Sequence, residues 1–332
     1  MWFKNLRLYR LAPSYEWSSH QLQVLLAKEQ FNSASDTSGI SCGWVAPFEQ
    51  DALLAQPRLA YALDGQVLCT YRTERKLLPA SVIAQFTKAK VAEIREQQGF
   101  TPGRKQTKEI KEQVIATLLP RAFSLGTQTR VWIDPKRRWL AMDTASPSKA
   151  EEVLSALGKA LHPFPVLPLR ISISPVIAMT NWILTGQVPG KFSIDQDAEM
   201  RDASEKNSVV RYVKHDLHGE AFMLHVKDGK QCTRLALTWD DKISFVLTDN
   251  LDIKRISAVG VIDQSLKNVS KEEISKFESD FTLMSEEFNA LLNDLVEVLG
   301  GEDVSDEIAS SVQATKVKKL SVRETAKTPE YS

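Results

Sequence analysis

Residues 270–301 read SKEEISKFESDFTLMSEEFNALLNDLVEVLGG, and this stretch decides what kind of fold the chain adopts. Ser270 and Glu273 have the spacing of a capping box, in which each side chain satisfies the other's free backbone N–H. Ile274, Phe277, Phe281, Met284, Phe288, Leu291, Leu295 and Val298 follow at spacings that alternate three and four. That rhythm is one apolar stripe on a long α-helix, and Gly300-Gly301 ends it. The stripe must be covered, by elements of the same subunit or by a second subunit.

Upstream the pattern changes to strand. Val209–Val213, Phe222–Val226, Thr233–Trp239 and Lys242–Thr248 predict an antiparallel meander with turns at Asp228-Gly229 and Asp240-Asp241. Met1–Leu11, Gln66–Arg72, Thr129–Asp134 and Trp139–Asp143 predict further strands. Ser18–Lys28 reads as a short helix with Leu22, Leu25 and Leu26 inward, and Ser33–Gly43 as a loop. Ser146 and Pro147 open a helix that buries Val153, Leu154 and Leu157. The proline run Pro163, Pro165 and Pro168 marks a boundary. It divides an N-terminal α+β region, 1–162, from a C-terminal α+β region, 170–302. A tail over 303–332 lacks an aromatic anchor until Tyr331 and is expected to be disordered. The predicted class is α+β, with antiparallel sheets, a basic helical insertion and a long C-terminal amphipathic helix.

The insertion falls at about 79–119. Pro79 opens a helix to Gln98, with Ile83, Phe86, Ala89 or Lys90, and Ile94 on one face; Gly99, Pro102 and Gly103 break it. A second helix runs from Thr107 to Leu119 with Ile110, Val114 and Leu118 inward, and Pro120 stops it. The chain's 42 Lys and Arg balance its 42 Asp and Glu, but unevenly. Residues 72–138 hold 15 Lys and Arg against 6 Asp and Glu; residues 263–307 hold 3 Lys against 13 Asp and Glu. A polyanion senses the local surplus and not the sum, although a charge run is also what any solvated helix face shows. Arg121 stands next to Ala122-Phe123, and Arg211, Lys214 and His215 form a second basic group. Arginine suits phosphate because its planar fork binds two oxygens and stays charged. Taken singly, each of these residues reads as a surface charge rather than a ligand.

Several chemistries have no motif. Gly229-Lys230 lacks the earlier glycine and following Ser or Thr of a phosphate-binding loop, and no dinucleotide fingerprint or serine elbow occurs. Cys42, Cys69 and Cys232 are too far apart for a zinc site and read as small core residues. His215, His218 and His225 lie near Asp216 and Glu220 without a metal-ligand spacing. Asp228-Gly229-Lys230 is a nuclease-like fragment that recurs by chance. No catalytic residue, metal or cofactor is assigned. No apolar run reaches the roughly 20 residues of a membrane span, and the expected compartment is the cytoplasm, without membrane contact.

A series of short motifs then narrows the reading. In order they are Trp2-Phe3-Lys4-Asn5-Leu6 with Tyr9-Arg10-Leu11, Gly43-Trp44-Val45 with Pro47, and Leu78-Pro79 with Val82-Ile83. Leu118-Leu119-Pro120-Arg121-Ala122-Phe123-Ser124 follows, with Gln128-Thr129 and Trp132-Ile133-Asp134. Val166-Leu167-Pro168-Leu169, Asp280-Phe281 with Leu283-Met284, and Leu299-Gly300-Gly301-Glu302 complete the series. Over about residues 1–302 the sequence resembles the RdgC family of bacterial recombination-associated proteins. The resemblance implies a non-enzymatic, nucleoid-associated homodimer. Its ring would encircle double-stranded DNA without reading sequence, and would restrain RecA-mediated recombination and act at replication forks. It implies that Arg121 and Phe123 lie at one contact that closes the ring, and Lys214 and His215 at the other. His215 stands where a family member carries Gln, which gives that contact a titratable group. The expected phosphate contacts are Lys76, Lys88, Lys90, Lys105, Lys108, Lys111, Arg121, Arg211 and Lys214, with the acidic C-terminal helix away from the DNA. The competing readings are a DNA-processing enzyme and a protein-interaction scaffold that dimerises through its C-terminal helix.

Overall fold

Residues 66–76 and 124–134 are rich in Val, Thr, Tyr, Trp and Ile, types that suit a pleated, half-buried surface. In the computed structural model they are the longest strands of the first sheet and pair in antiparallel register from Val67↔Ile133 to Lys76↔Ser124. The structure describes residues 2–15, 17–32, 39–161, 164, 166–202, 208–217, 219–260 and 273–303. The elements are β1 (Arg7–Leu11), α1 (Ser19–Ala27), β2 (Ile40–Val45), β3 (Ala60–Leu63), β4 (Gln66–Lys76), α2 (Ala80–Gln98) and α3 (Arg104–Leu118). β5 (Ser124–Asp134), β6 (Trp139–Met142), α4 (Pro147–Ala160), β7 (Val166–Pro168), α5 (Pro175–Thr185) and β8 (Phe192–Asp202) follow. The last are β9 (Val209–Tyr212), α6 (Glu220–Lys227), β10 (Lys230–Trp239), β11 (Ile243–Thr248), β12 (Ile253–Ala258) and α7 (Glu273–Val298). One antiparallel sheet has the order β2-β4-β5-β6-β1-β7, with β3 also on β4; the other is β12-β11-β10-β8-β9. The predicted α+β class with a long C-terminal helix is the observed one.

Strand alternation buries the first sheet on both faces. Val67, Cys69, Tyr71, Val131 and Ile133 face one core with Leu22 and Leu26 of α1 and Val153 and Leu157 of α4. Leu68, Trp132 and Ala141 face a second core built around α7. There Phe277 packs on Phe48 and Tyr61, each at 4.9 Å between ring centroids, and Phe288 packs on Trp2 at 5.4 Å and on Phe3 and Trp132 at 6.3 Å. The same core takes in Leu235, Leu237, Trp239, Phe245 and Leu247 of the second sheet, and the Trp239 indole N–H donates to Asp294 of α7 at 2.8 Å. From Phe277 onward the stripe of α7 is therefore covered within its own subunit, while Ile274 is 38% exposed. The chain before β1 also joins the sheets: Leu6 exchanges backbone hydrogen bonds with Ile253 at 2.8 and 3.0 Å. Asp143 accepts the backbone N–H groups of Lys4 and Asn5 at 2.9 and 3.0 Å.

The structure corrects several sequence expectations. The Met1–Leu11 strand begins at Arg7, because the backbone of residues 4–6 pairs with the other sheet. Ile40–Gly43 belong to β2 and not to a loop; a Cβ on Gly43 would lie 2.5 Å from the Phe31 Cα, so only glycine lets the chains approach there. Phe222–Val226 is helical in α6, since a short apolar run has no period of its own to separate strand from helix. On α2 the inward stripe passes through Ile83, Thr87, Val91 and Ile94, which leaves Phe86 49% exposed. Cys69 and Cys232 are buried as expected, but Cys42 is exposed. β3, α5, β8 and β12 had no sequence counterpart. Of the proline run, Pro168 ends β7, which pairs with β1, while Pro163 and Pro165 lie outside the described residues. The Ser270 cap and residues 304–332 of the expected tail lie outside the described residues.

Two predictions follow from this core. Phe288→Ala, which removes a fully buried ring between the sheets, should cost about 3–5 kcal/mol in urea unfolding. A loss below about 1 kcal/mol would mean that α7 does not hold the two layers together. Burial, with the 2.6 Å bond from Tyr61 Oη to Glu278, pushes the Tyr61 phenol up to about 12. The unfolded phenol ionises near 10, so the stabilisation is whole below about pH 10 and is lost as pH rises toward 12. Tyr61→Phe should flatten that part of the stability–pH curve relative to wild type; parallel curves would refute the assignment.

Candidate nucleic-acid interface

The basic segment folds as a helical arm inserted between two strands that are neighbours in the sheet. Pro79 precedes the first turn of α2, where its missing N–H costs nothing. Gly99 closes α2 with φ 77°, a left-handed conformation that glycine adopts without strain. α2 packs on α3, and α3 packs on the short turn Leu119–Arg121. Among the described residues no side chain of α2 is buried, and Ile110 alone is buried on α3. Lys88, Lys90, Lys105, Lys108 and Lys111 are all exposed. Lys105, Lys108 and Lys111 advance along one flank of α3 in steps of three. Lys90 pairs with Glu93 at 2.8 Å and Lys108 with Glu112 at 3.9 Å. Exposed pairs of this kind are weak and leave the cations free to exchange partners.

The base of the arm is fixed by the β4–β5 ladder. Lys76, half-buried at the end of β4, donates its backbone N–H to Gly39 at 2.9 Å, and Leu77 donates to the Phe123 carbonyl at 2.7 Å. Arg121 is exposed on the turn beyond α3. Cross-strand register puts Ile40, Arg75 and Leu125 in one row. With Leu77 and Phe123 one step further, four large apolar side chains stand in solvent: Ile40 is 52% exposed, Leu77 49%, Leu125 54% and Phe123 85%. Apolar groups gathered like this mark a contact surface more often than an accident of folding.

The second basic group lies on the other sheet, at the edge strand β9. Arg211 pairs with Glu199 at 2.8 Å. Lys214 is exposed with φ 52°, and its backbone N–H donates to Asp197 at 2.9 Å. His215 is exposed, donates its backbone N–H to Gln196 at 3.1 Å, and meets the Tyr212 ring edge-on at 5.3 Å. The expected residues thus fall into three places: the arm, its base, and this edge. Two further arginines, Arg201 and Arg234, join Arg211 around Glu199. Sequence reasoning missed them because β8, which carries Glu199 and Arg201, was not recognised. The alternation of Phe192, Ile194, Ala198 and Met200 along it was the available signal.

Among the described residues no group of three or more His, Cys, Asp or Glu could hold a metal ion. Among them, too, no helix is long and apolar enough to cross a membrane.

The family model described as "Putative exonuclease, RdgC" matches residues 1–302. A Recombination-associated protein RdgC from Cupriavidus pinatubonensis is 47% identical over 302 residues, which cover 91% of this chain and 99% of that protein. Proteins of the same name from Herminiimonas arsenicoxydans and Bordetella parapertussis are 48% and 45% identical over the same shares. These relatives bear the name of a recombination-associated protein and not of an enzyme. The matched residues, 1–302, include the arm, its base and the second basic group, and this chain belongs to the RdgC family.

Proposed function

We propose that the protein binds double-stranded DNA without sequence preference, as a ring-shaped homodimer that encircles the duplex and restrains RecA-mediated recombination. The observation that carries the reading is the arm: a cation-rich helical hairpin whose two helices fully bury one side chain, Ile110, and present their lysines to solvent. Such a surface suits phosphate, whose neutralisation releases counterions and needs no base contact. The relatives' name ties the family to recombination, which is DNA chemistry. The exposed cluster of Ile40, Leu77, Phe123 and Leu125 supports a subunit contact at the base of the arm, with Arg121 beside it. Lys214 and His215 at the sheet edge are the second proposed contact. The mechanism is occupancy: a closed ring on duplex obstructs strand exchange with no covalent step, in the cytoplasm at the nucleoid. α7 lies away from the DNA in this reading. The scaffold alternative needs the stripe of α7 as its dimer surface, and that stripe is occupied by the subunit's own sheets.

Wild type should bind two unrelated duplexes of equal length with equal affinity, and log affinity should fall linearly with log salt. The variant with Lys88, Lys105, Lys108 and Lys111 all changed to Glu should lose at least about a hundredfold in affinity at low salt. Unchanged binding would remove the arm as the interface. End-labelled duplex in the same assay with magnesium or manganese should stay intact; cleavage would move the protein to the exonuclease reading of the family description. Phe123→Ala should shift the sedimenting species from dimer toward monomer and change unfolding free energy by less than about 0.5 kcal/mol. A stable dimer would place the contact elsewhere, and an unfolded variant would make Phe123 part of the core.

A further inference from the structure

The outer face of the second sheet carries three arginines on one carboxylate. Strand register fixes them: Glu199 of β8 lies directly between Arg234 of β10 and Arg211 of β9, and Arg201 is two residues further along β8. Arg211 Nε donates to Glu199 at 2.8 Å, Arg201 Nε and one terminal nitrogen at 3.2 and 3.0 Å, and Arg234 approaches to 3.4 Å. The Glu199 side chain is 4% exposed, while those of Arg201, Arg211 and Arg234 are 49%, 65% and 40% exposed. Burial opposes ionisation of Glu199, but bonds from Arg211 and Arg201 and the charge of Arg234 outweigh it and hold the carboxyl below the usual range. Three cations on one anion leave a surplus of two positive charges. One arginine would neutralise the carboxylate; the second and third add like-charge repulsion to a sheet that gains little from them. Among the described residues, the two carboxylates that precede Glu199 on the same strand, Asp195 and Asp197, have other partners. Asp197 is engaged by Arg255 at 3.2 Å and by the Lys214 backbone, and Asp195 by Thr238 at 3.0 Å.

We propose that Arg201, Arg211 and Arg234, fixed around Glu199, form a rigid phosphate-binding site for the backbone of the bound duplex, on a different sheet from the lysine arm. Each guanidinium turns one edge to Glu199 and keeps N–H donors for solvent. A phosphate oxygen entering between them meets forks already oriented, so less side-chain freedom is lost than at a lone surface arginine. Glu199 is a positioning residue. This inference rests on the proposed DNA binding and adds two residues, Arg201 and Arg234, to it.

The test compares full-length wild type with Arg201→Gln/Arg234→Gln on one duplex across a salt series, each protein checked by thermal melting. The variant keeps the Arg211–Glu199 pair. It should bind at least about tenfold more weakly at low salt, with a log–log salt slope reduced by about 2. A folded variant with wild-type affinity and slope would reduce the cluster to an ion network and overturn the site. Wild type that shows no salt-dependent binding would overturn the DNA reading itself, a distinct outcome. A second measurement uses wild type alone: phenylglyoxal labelling of Arg201, Arg211 and Arg234, read by mass spectrometry, should fall when saturating duplex is present. Equal labelling with and without duplex would also overturn the site.

Discussion

Everything else in the subunit hangs on the seating of α7 between the two sheets. The helix is long enough to meet Phe48 and Tyr61 near its start, Trp2, Phe3 and Trp132 at Phe288, and Trp239 near its end. Two polar bonds, the first buried and the second partly so, fix its register: Asn289 donates to Asp134 at 3.0 Å, and Asp294 accepts from Trp239. An unpaired partner in such a position would cost more than either bond contributes, so the polar pairs choose one alignment among many that apolar packing would tolerate. Because α7 is consumed in this way, a dimer must use other surfaces, and the exposed group around Phe123 is the most apolar candidate described above.

The neutral total charge conceals two different uses of charge. The acids of α7 serve local partners: Glu278 accepts from Tyr61, Glu287 pairs with Lys242 at 3.6 Å, and Asp294 with Lys191 at 3.4 Å. The ion pairs Lys90–Glu93 and Lys108–Glu112 of the arm stay within their own helices. The acidic and basic segments therefore do not neutralise each other through these pairs. A surplus held apart on a thin hairpin keeps its field in solvent, where a polyanion can reach it.

How much was legible in the sequence depended on how much local pattern each feature carried. The stripe of α7, the Ser146-Pro147 start of α4 and the Pro79-to-Gly99 limits of α2 were readable because capping and period act within a few residues. α6 was misread because Phe222, Leu224 and Val226 alternate over a segment too short to show a helical period. The start of β2 was misread because it follows the Ser-, Asp- and Gly-rich sequence of residues 33–39, and its strand state comes from pairing with β4. Of the candidate interface, the arm was legible as charge and breakers. Arg201 and Arg234 were not, since only strand register brings them to Glu199. The covering partner of α7 was open in principle: a stripe states that it must be buried, never by what.

The placement of the arm follows from loop entropy as well as charge. Joining two strands already held in register costs little more for a long insertion than for a short one, because closure entropy grows only with the logarithm of length. The ladder runs past β4 and β5 to the Leu77–Phe123 bond, so the arm springs from a rigid base although its own interior is thin. Phe123 is part of that base. In the proposed ring, a contact made by Phe123 therefore restrains the root of the arm, and duplex bound along the lysines pulls on the same root. Ring closure and phosphate binding would then be coupled through one stretch of ladder. The arginines on the second sheet need no such coupling, since strand register and Glu199 hold them in place. In the proposed complex, such a site would give the protein a second hold on the backbone, on a different sheet from the arm.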